Sequence, residues 1–512
     1  MKRYFCIVLL LSITHQIYAQ QNPDCLKVSP EHPINISDTA LIRQLWQWTG
    51  NFVNIANTHF RTHPSAINFP GAPQKGYKTI KSTFQLLHKK TSARDSALSM
   101  KYVFAMPQTF TLYSTGLYAP PGTKIPIKLP DNWDREDVWV CIGAHRDVLF
   151  NTEENWRRMP IIISEVQLKK DLSFISSPFG GLIYFGVYPR TQSFQSDIIL
   201  SNVIKAPYYV YGKTTASDWA NQLKNNRAPW GEIATDKIII TLPDSALRKI
   251  KDPQKTLEIW NKIISTEYDL SQLPVPFIRP VRLVVDEQIS NGAMHSGYPI
   301  MIHHSPSQDM LSLNSITDPA KLLKGIYRGA NWGYFHEIGH NLQNIEWVPD
   351  GTIEVGCNFY SLYLLDRLIG SRDSAHECLT PAYQKMVMTD YFSRDTRQHD
   401  YEQNPFLGLI PFIQLQKKFG WNTFKQVFKQ YIDHPNDSLD YAYKSEDDRR
   451  KKNLKKTEVL VTRFSEQTKT NLSPFFKAWG FPVSTATDEA LKKYASWMPE
   501  ELTPYLSLKK GQ

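Results

Sequence analysis

Two histidines four residues apart with a glutamate between them, His336-Glu337-Ile338-Gly339-His340, are the residues of this 512-residue chain best suited to chemistry. On a helix, side chains at i and i+4 lie one above the other, so His336 and His340 can grip a single metal ion. Glu337 then stands beside that metal as a general base. Zinc suits the set, because two neutral imidazoles and one carboxylate leave a tetrahedral position open for a water molecule.

The third ligand has to come from downstream. Residues 341–351 are turn-rich and should end the first helix, with Asp350 as the N-cap of a second. That second helix, residues 352–365, puts Glu354 and Asn358 on one face at i, i+4. Glu354 is the expected ligand. Glu346 competes, but it lies only six residues past His340, too few for a turn and a facing helix. Asn358 has two readings: its amide accepts the outer N–H of a ligating histidine, or it is a buried capping amide. Cys357 should face the core rather than the metal.

Several separated stretches carry a family resemblance. Residues 331–343 look like the active-site helix, and residues 354–363 like the glutamate-bearing helix, of the enhancin-like or mucin-degrading zinc metallopeptidases, family M60 of the gluzincins. Residues 288–290 with 294–300 resemble another signature of that family. Residues 115–122 and 177–184 resemble segments of the β-rich region preceding its catalytic domain, and residues 472–480 a further segment. The resemblance spans roughly residues 100–480. It implies a secreted endopeptidase acting on glycoproteins, with mucins as the characteristic substrate class. One Zn2+ per chain would be held by His336, His340 and Glu354, with Glu337 as base. His295 and Tyr298 then have two readings: donors to the oxyanion formed during attack on a peptide carbonyl, or packed turn residues. A carbohydrate- or glycoprotein-binding protein with a silent metal site is the alternative class.

These residues need elements to position them, and the chain falls into three stretches of different texture. Residues 20–95 read as a helical lead-in, with an amphipathic stretch over 38–57. Residues 96–225 carry short β-prone runs broken by Pro and Gly, the rhythm of a β-sandwich-like domain. Residues 226–512 open with a strand at 237–242 and then turn mainly helical, as a gluzincin-type catalytic domain requires. The expected class is α+β and multi-domain. With 41% hydrophobic and 12% aromatic residues, the chain has material for real cores, which excludes a disordered protein.

Lys2 and Arg3, the apolar run 5–13 and the small Ala19 together read as a signal peptide over residues 1–19. Export follows as an expectation, to a secreted, periplasmic or cell-surface location. Losing Lys2 and Arg3 lowers the formal charge from +10 to +8, which is mildly basic. Neither nucleic acid nor a membrane span is expected, since no later run reaches about eighteen apolar residues. The basic run 449–456 follows acids at 446–448 and reads as a solvated helix start, with recruitment of acidic glycans as the other reading. Trp332 and Trp347 read as packing. Cys25, Cys141, Cys357 and Cys378 could pair in three ways if the compartment oxidises them.

Overall fold

The computed structural model describes residues 23–150, 154–304, 313–324, 330–370, 376–394, 400–436 and 442–506. The expected signal peptide lies outside them. Eight strands form the first sheet: β1 (Ile80–His88), ahead of the β-prone region, and within it β2 (Thr111–Ala119), β3 (Ile125–Lys128), β4 (Val138–Ile142), β5 (Ser164–Gln167), β6 (Phe174–Ile175), β7 (Gly181–Val187) and β8 (Phe194–Lys205). They run in the order β5-β4-β7-β2-β8-β3-β6, with β1 also on β8. Val138, Val140 and Ile142 from β4 share one core with Leu86 of β1 and Ile198 and Leu200 of β8. Phe84 and Phe185 meet at 5.3 Å although β1 and β7 do not pair, so two layers face each other as in a sandwich. Asn202, at φ 62°, inserts an extra residue into β8, and the bulge brings Val203 onto the same core face as Leu200.

A second sheet follows: β9 (Tyr208–Val210), β10 (Trp230–Ala234), β11 (Ile238–Pro243), β12 (Val281–Asp286), β13 (Met294–His295) and β14 (Ile300–His303), in the order β13-β14-β12-β11-β10-β9. Its helical partners are α2 (Pro253–Ser271), α3 (Ala330–Leu342), α4 (Ile353–Ile369), α5 (Pro405–Asp433) and α6 (Glu446–Thr468), while α1 (Thr39–Gly50) lies in the N-terminal region. Strands β11 and β12 are parallel, and α2 is the crossover between them. One apolar core joins this sheet to α2 through α6.

Three expectations are corrected here. Residues 20–95 contain α1 but close with strand β1, whose polar, alternately exposed residues suit the edge of a sandwich. The region after 226 holds more sheet than expected, because β12 and β14 are short and buried throughout, and period-2 alternation is lost in such strands. Asp350 does not cap α4: Thr352 occupies that position, and the Asp350 carboxylate accepts from Tyr443 (2.9 Å) and Arg449 (2.7 Å) instead. The basic run forms the first turns of α6, where Arg449, Arg450, Lys451 and Lys452 pair with acids of the same helix start. All four described cysteines are free.

Two buried arginines stitch the sandwich to the second sheet. Arg279 donates to the carbonyls of Ala105, Met106, Thr109 and Phe110. Arg282 pairs with Glu232 at 2.5 Å and donates to Leu112 and Ser114 on β2. This seam lays residues 101–110 against the end of α3.

Candidate metal centre

Helices α3 and α4 cross with almost no space between them. A Cβ on Gly339 would sit 2.8 Å from the Cys357 carbonyl, and one on Gly356 would collide with Gln343. These two glycines allow the approach that carries Glu354 up to the histidines. Glu354 Oε2 lies 3.1 Å from His336 Nε2 and 3.6 Å from His340 Nε2, and the two Nε2 atoms are 3.1 Å apart.

The outer nitrogens fix both tautomers. Asn358 Oδ1 accepts from the Trp332 indole, which can only donate, so the same oxygen also accepts from His336 Nδ1 at 2.7 Å. Gln343 donates through Nε2 to the Ile353 carbonyl, which leaves its Oε1 to accept from His340 Nδ1 at 3.2 Å. Both Nε2 lone pairs therefore point at the Glu354 carboxylate, and three acceptors converge on one spot. Only positive charge reconciles them, and the donor set of two imidazoles and a carboxylate fits zinc. The electrostatics agree. The His336 and His340 imidazoles beside it, which take up positive charge readily, hold Glu354 far below the usual carboxylate range. Burial opposes charge on His336, yet the Glu354 carboxylate outweighs it and raises the imidazole above its ordinary value.

Glu337 is 9% exposed beside this set, and burial raises its carboxyl against the pull of His336 and His340. Cys357 brings Sγ within 4.8 Å of the other donor atoms. Its thiol donates to the Glu354 carbonyl at 3.1 Å, and burial pushes its pKa well up, so it stays protonated and packs below His336. Glu346 is withdrawn from competition: it is fully buried and pairs with Lys101 at 3.1 Å.

Residues 202–480 match the profile of peptidase M60, enhancin and enhancin-like, and residues 92–201 match that of the N-terminal domain of M60-like peptidases. The chain belongs to the M60 peptidase family. TRPM8 channel-associated factor 2 of Homo sapiens is 34% identical over 399 residues, which are 78% of this chain and 41% of the relative. The M60 chain thus spans less than half the length of that curated relative. A functionally unknown conserved protein from Bacillus anthracis superposes with a TM-score of 0.60 at 21% identity, covering 83% of this chain and 81% of that one. IMPa from Pseudomonas aeruginosa, solved in complex with an O-glycopeptide, gives 0.57 at 15% identity, covering 83% and 54%. These two likenesses show the fold.

The remaining M60 site candidates divide. His295, on β13, comes within electrostatic reach of Glu337. Its Nε2 is 3.2 Å from Asp147 and 3.3 Å from Ser290 Oγ, and its Nδ1 3.0 Å from the Ser296 carbonyl, an environment that favours the cationic ring. Burial works against that charge, and Asp147 more than restores it. With both N–H groups taken, His295 offers charge to the centre rather than a free donor. Tyr298 is placed elsewhere: its hydroxyl accepts from Leu112 of β2 at 3.3 Å, and Arg279 lies 3.6 Å over its ring. It belongs to the seam: Gly297 just before it is tied to Asn341 of α3 by two hydrogen bonds (3.0 and 2.8 Å), while the Tyr298 ring itself meets Arg279 and β2. Trp332 and Trp347 are buried, the latter stacked on Phe428 at 4.7 Å. Sequence reasoning passed over three residues around the centre: Gln343, Phe104 and Asp147. Gln343 carried a usable signal, three residues past His340 on the same helical face. Phe104, whose ring centroid is 5.4 Å from that of His340, carried none.

Proposed function

We propose that this chain is an exported zinc endopeptidase that hydrolyses peptide bonds in glycoproteins, mucin-type O-glycoproteins in particular. The observation that carries the reading is the convergence of His336 Nε2, His340 Nε2 and Glu354 Oε2 beside a buried Glu337. The O-glycopeptide bound by IMPa supports the substrate class. The basic-then-apolar N-terminus, residues 1–19, supports export.

Zinc held by His336, His340 and Glu354 would supply an acidified water and a polarised carbonyl. Glu337 takes one proton from the attacking water, whose oxygen bonds to the scissile carbonyl carbon. His295, fixed as a cation by Asp147, places positive charge near the oxygen on which negative charge collects. As the C–N bond breaks, Glu337 hands its proton to the amine nitrogen, which leaves a carboxylic acid and a free amine. Asn358 and Gln343 keep both imidazoles in the tautomer this arrangement needs.

The test is incubation of the mature chain, wild type and Glu337→Gln, with a mucin and with the same mucin stripped of O-glycans, while bound zinc is measured. Zinc in both proteins with cleavage lowered about 10²- to 10⁴-fold in the variant is the expected result. Full activity in Glu337→Gln removes the assigned base, and equal cutting of stripped mucin removes the glycan from the recognised substrate. A second reading, binding without catalysis, is favoured by curated relatives whose names describe association with a channel. Zinc-loaded wild type that binds mucin and cuts neither form would establish it.

A further inference from the structure

The residues touching the donor set from α3 and α4 are buried: Trp332, Gln343, Cys357 and Asn358 all lie in the core. Phe104 differs from them on two counts. It comes from the stretch matched by the N-terminal M60-like domain, and it is only partly buried while its ring rests against His340. Glu354, across the same centre, leaves 45% of its side chain exposed, so the centre is open to solvent. A substrate entering there meets an aromatic face beside the ligand His340.

That face is held rigidly. Lys101, three residues upstream, is locked by its pair with Glu346 and by the bond from Ile345 N to its carbonyl at 2.9 Å. On the downstream side, Arg279 draws in the Ala105 and Met106 carbonyls at 2.8 and 2.7 Å. Met106 takes a left-handed backbone (φ 49°) and reaches the site of Gly297, where an added Cβ would come within 3.1 Å of its Cε. Phe104 therefore sits on a short stretch clamped at both ends. Rigid aromatic surface next to a reacting centre binds apolar groups with little ordering cost.

We infer that Phe104 is a specificity-determining residue, forming an apolar wall supplied by the N-terminal domain for the substrate residue that flanks the scissile bond. The inference rests on the peptidase reading of the same centre. The wall selects by contact: the apolar face of the flanking residue packs on the ring, and the ring keeps water from one side of His340. It is also the physical reason the two matched domains form one working unit, since the catalytic part alone lacks this side of its cleft.

The experiment uses zinc-loaded full chain in the Glu337→Gln background, which allows binding to be read without turnover. Affinity for an O-glycopeptide is measured by calorimetry for Phe104, Phe104→Ala and Phe104→Leu, with zinc content and melting temperature recorded for each. Phe104→Ala should weaken binding about 3- to 10-fold with zinc retained, the scale of one aromatic contact, and Phe104→Leu should recover part of it. In the Glu337-containing enzyme the same change should raise KM more than it lowers kcat. Unchanged affinity in Phe104→Ala overturns the wall, and so does a loss of zinc that accounts for the weakened binding. Failure of the parent protein to bind the glycopeptide at all is a different result: it rejects the proposed substrate class, and the wall with it.

Discussion

The α3–α4 pair and the seam beside it are made from opposite materials. In the pair, side chains three or four residues apart converge at one spot, and the hydrogen-bond partners of both histidines come from the two helices and the residue that follows α3. In the seam, partners come from stretches far apart in the chain: Lys101 with Glu346, Asp147 with His295, Arg279 with the carbonyls of residues 105–110. The pair carries the chemistry and the seam carries its surroundings, namely charge, solvent access and the wall. If this division holds, breaking the seam should cost stability first and metal last, while breaking the pair should do the reverse.

Lys101→Met is the strongest break of the seam. It leaves Glu346, fully buried, with the Asn436 N–H at 2.7 Å and the charge of Arg463 among the described residues, and a buried carboxylate stripped of its ion-pair partner typically costs about 3 to 5 kcal/mol. Burial already raises the Glu346 carboxyl above its ordinary value, so the variant should take up a proton there as it folds. Chemical denaturation with zinc measured in parallel is the check. Lost stability with zinc retained supports the division, and zinc lost before stability breaks it.

Asn358→Ala makes the reciprocal break. The His336 Nδ1–H loses its acceptor, and the ring becomes free to turn or change tautomer. Zinc affinity should drop about 10- to 100-fold. Competition with a chelator measures it, and Gln343→Ala offers the matched change at His340. An unchanged affinity in both would move orientation of the imidazoles to the helices alone.

The same division governs how much was legible in the sequence. His336, Glu337, His340 and Glu354 stand out because helical spacing turns neighbours in sequence into neighbours in space, and Asn358 follows from Glu354 by one more turn. The β-rich texture of residues 96–225 was legible for a similarly local reason, short β-prone runs broken by Pro and Gly. Phe104 and Asp147 were not, since nothing in their own vicinity says which distant surface they reach. For Tyr298 the sequence left two readings open, oxyanion donor or packed residue, and its contacts with Leu112 and Arg279 are those of the packed one. Strand β12 was missed because a short apolar run buried on both faces has no period to read.

Asp147→Asn tests the smallest part of the comparison, the charge the seam lends to the pair. Burial pushes the Asp147 carboxyl up, but the hydrogen bond from His295 and the charges of His145 and Arg158 hold it well below the usual range. Such a group adds stability above its unfolded pKa and loses it as pH falls through the folded one. His295, raised by Asp147 with Glu337 adding to the effect, adds stability below its unfolded pKa and loses it as pH climbs past the folded value. The pair's stabilisation is complete between the two unfolded values, about pH 4 to 6.5, and there Asp147→Asn should cost about 1 kcal/mol, a partly solvated pair being worth no more. The penalty should shrink on either side of that window. Melting curves of the zinc-loaded protein from pH 4 to 9 would trace it. A penalty flat across the range would mean that the bond from Ser290 N to Asp147 at 2.7 Å, which an asparagine oxygen can still accept, does the positioning without charge. In that event the seam gives the centre its shape alone, and the cation near Glu337 drops out of the account.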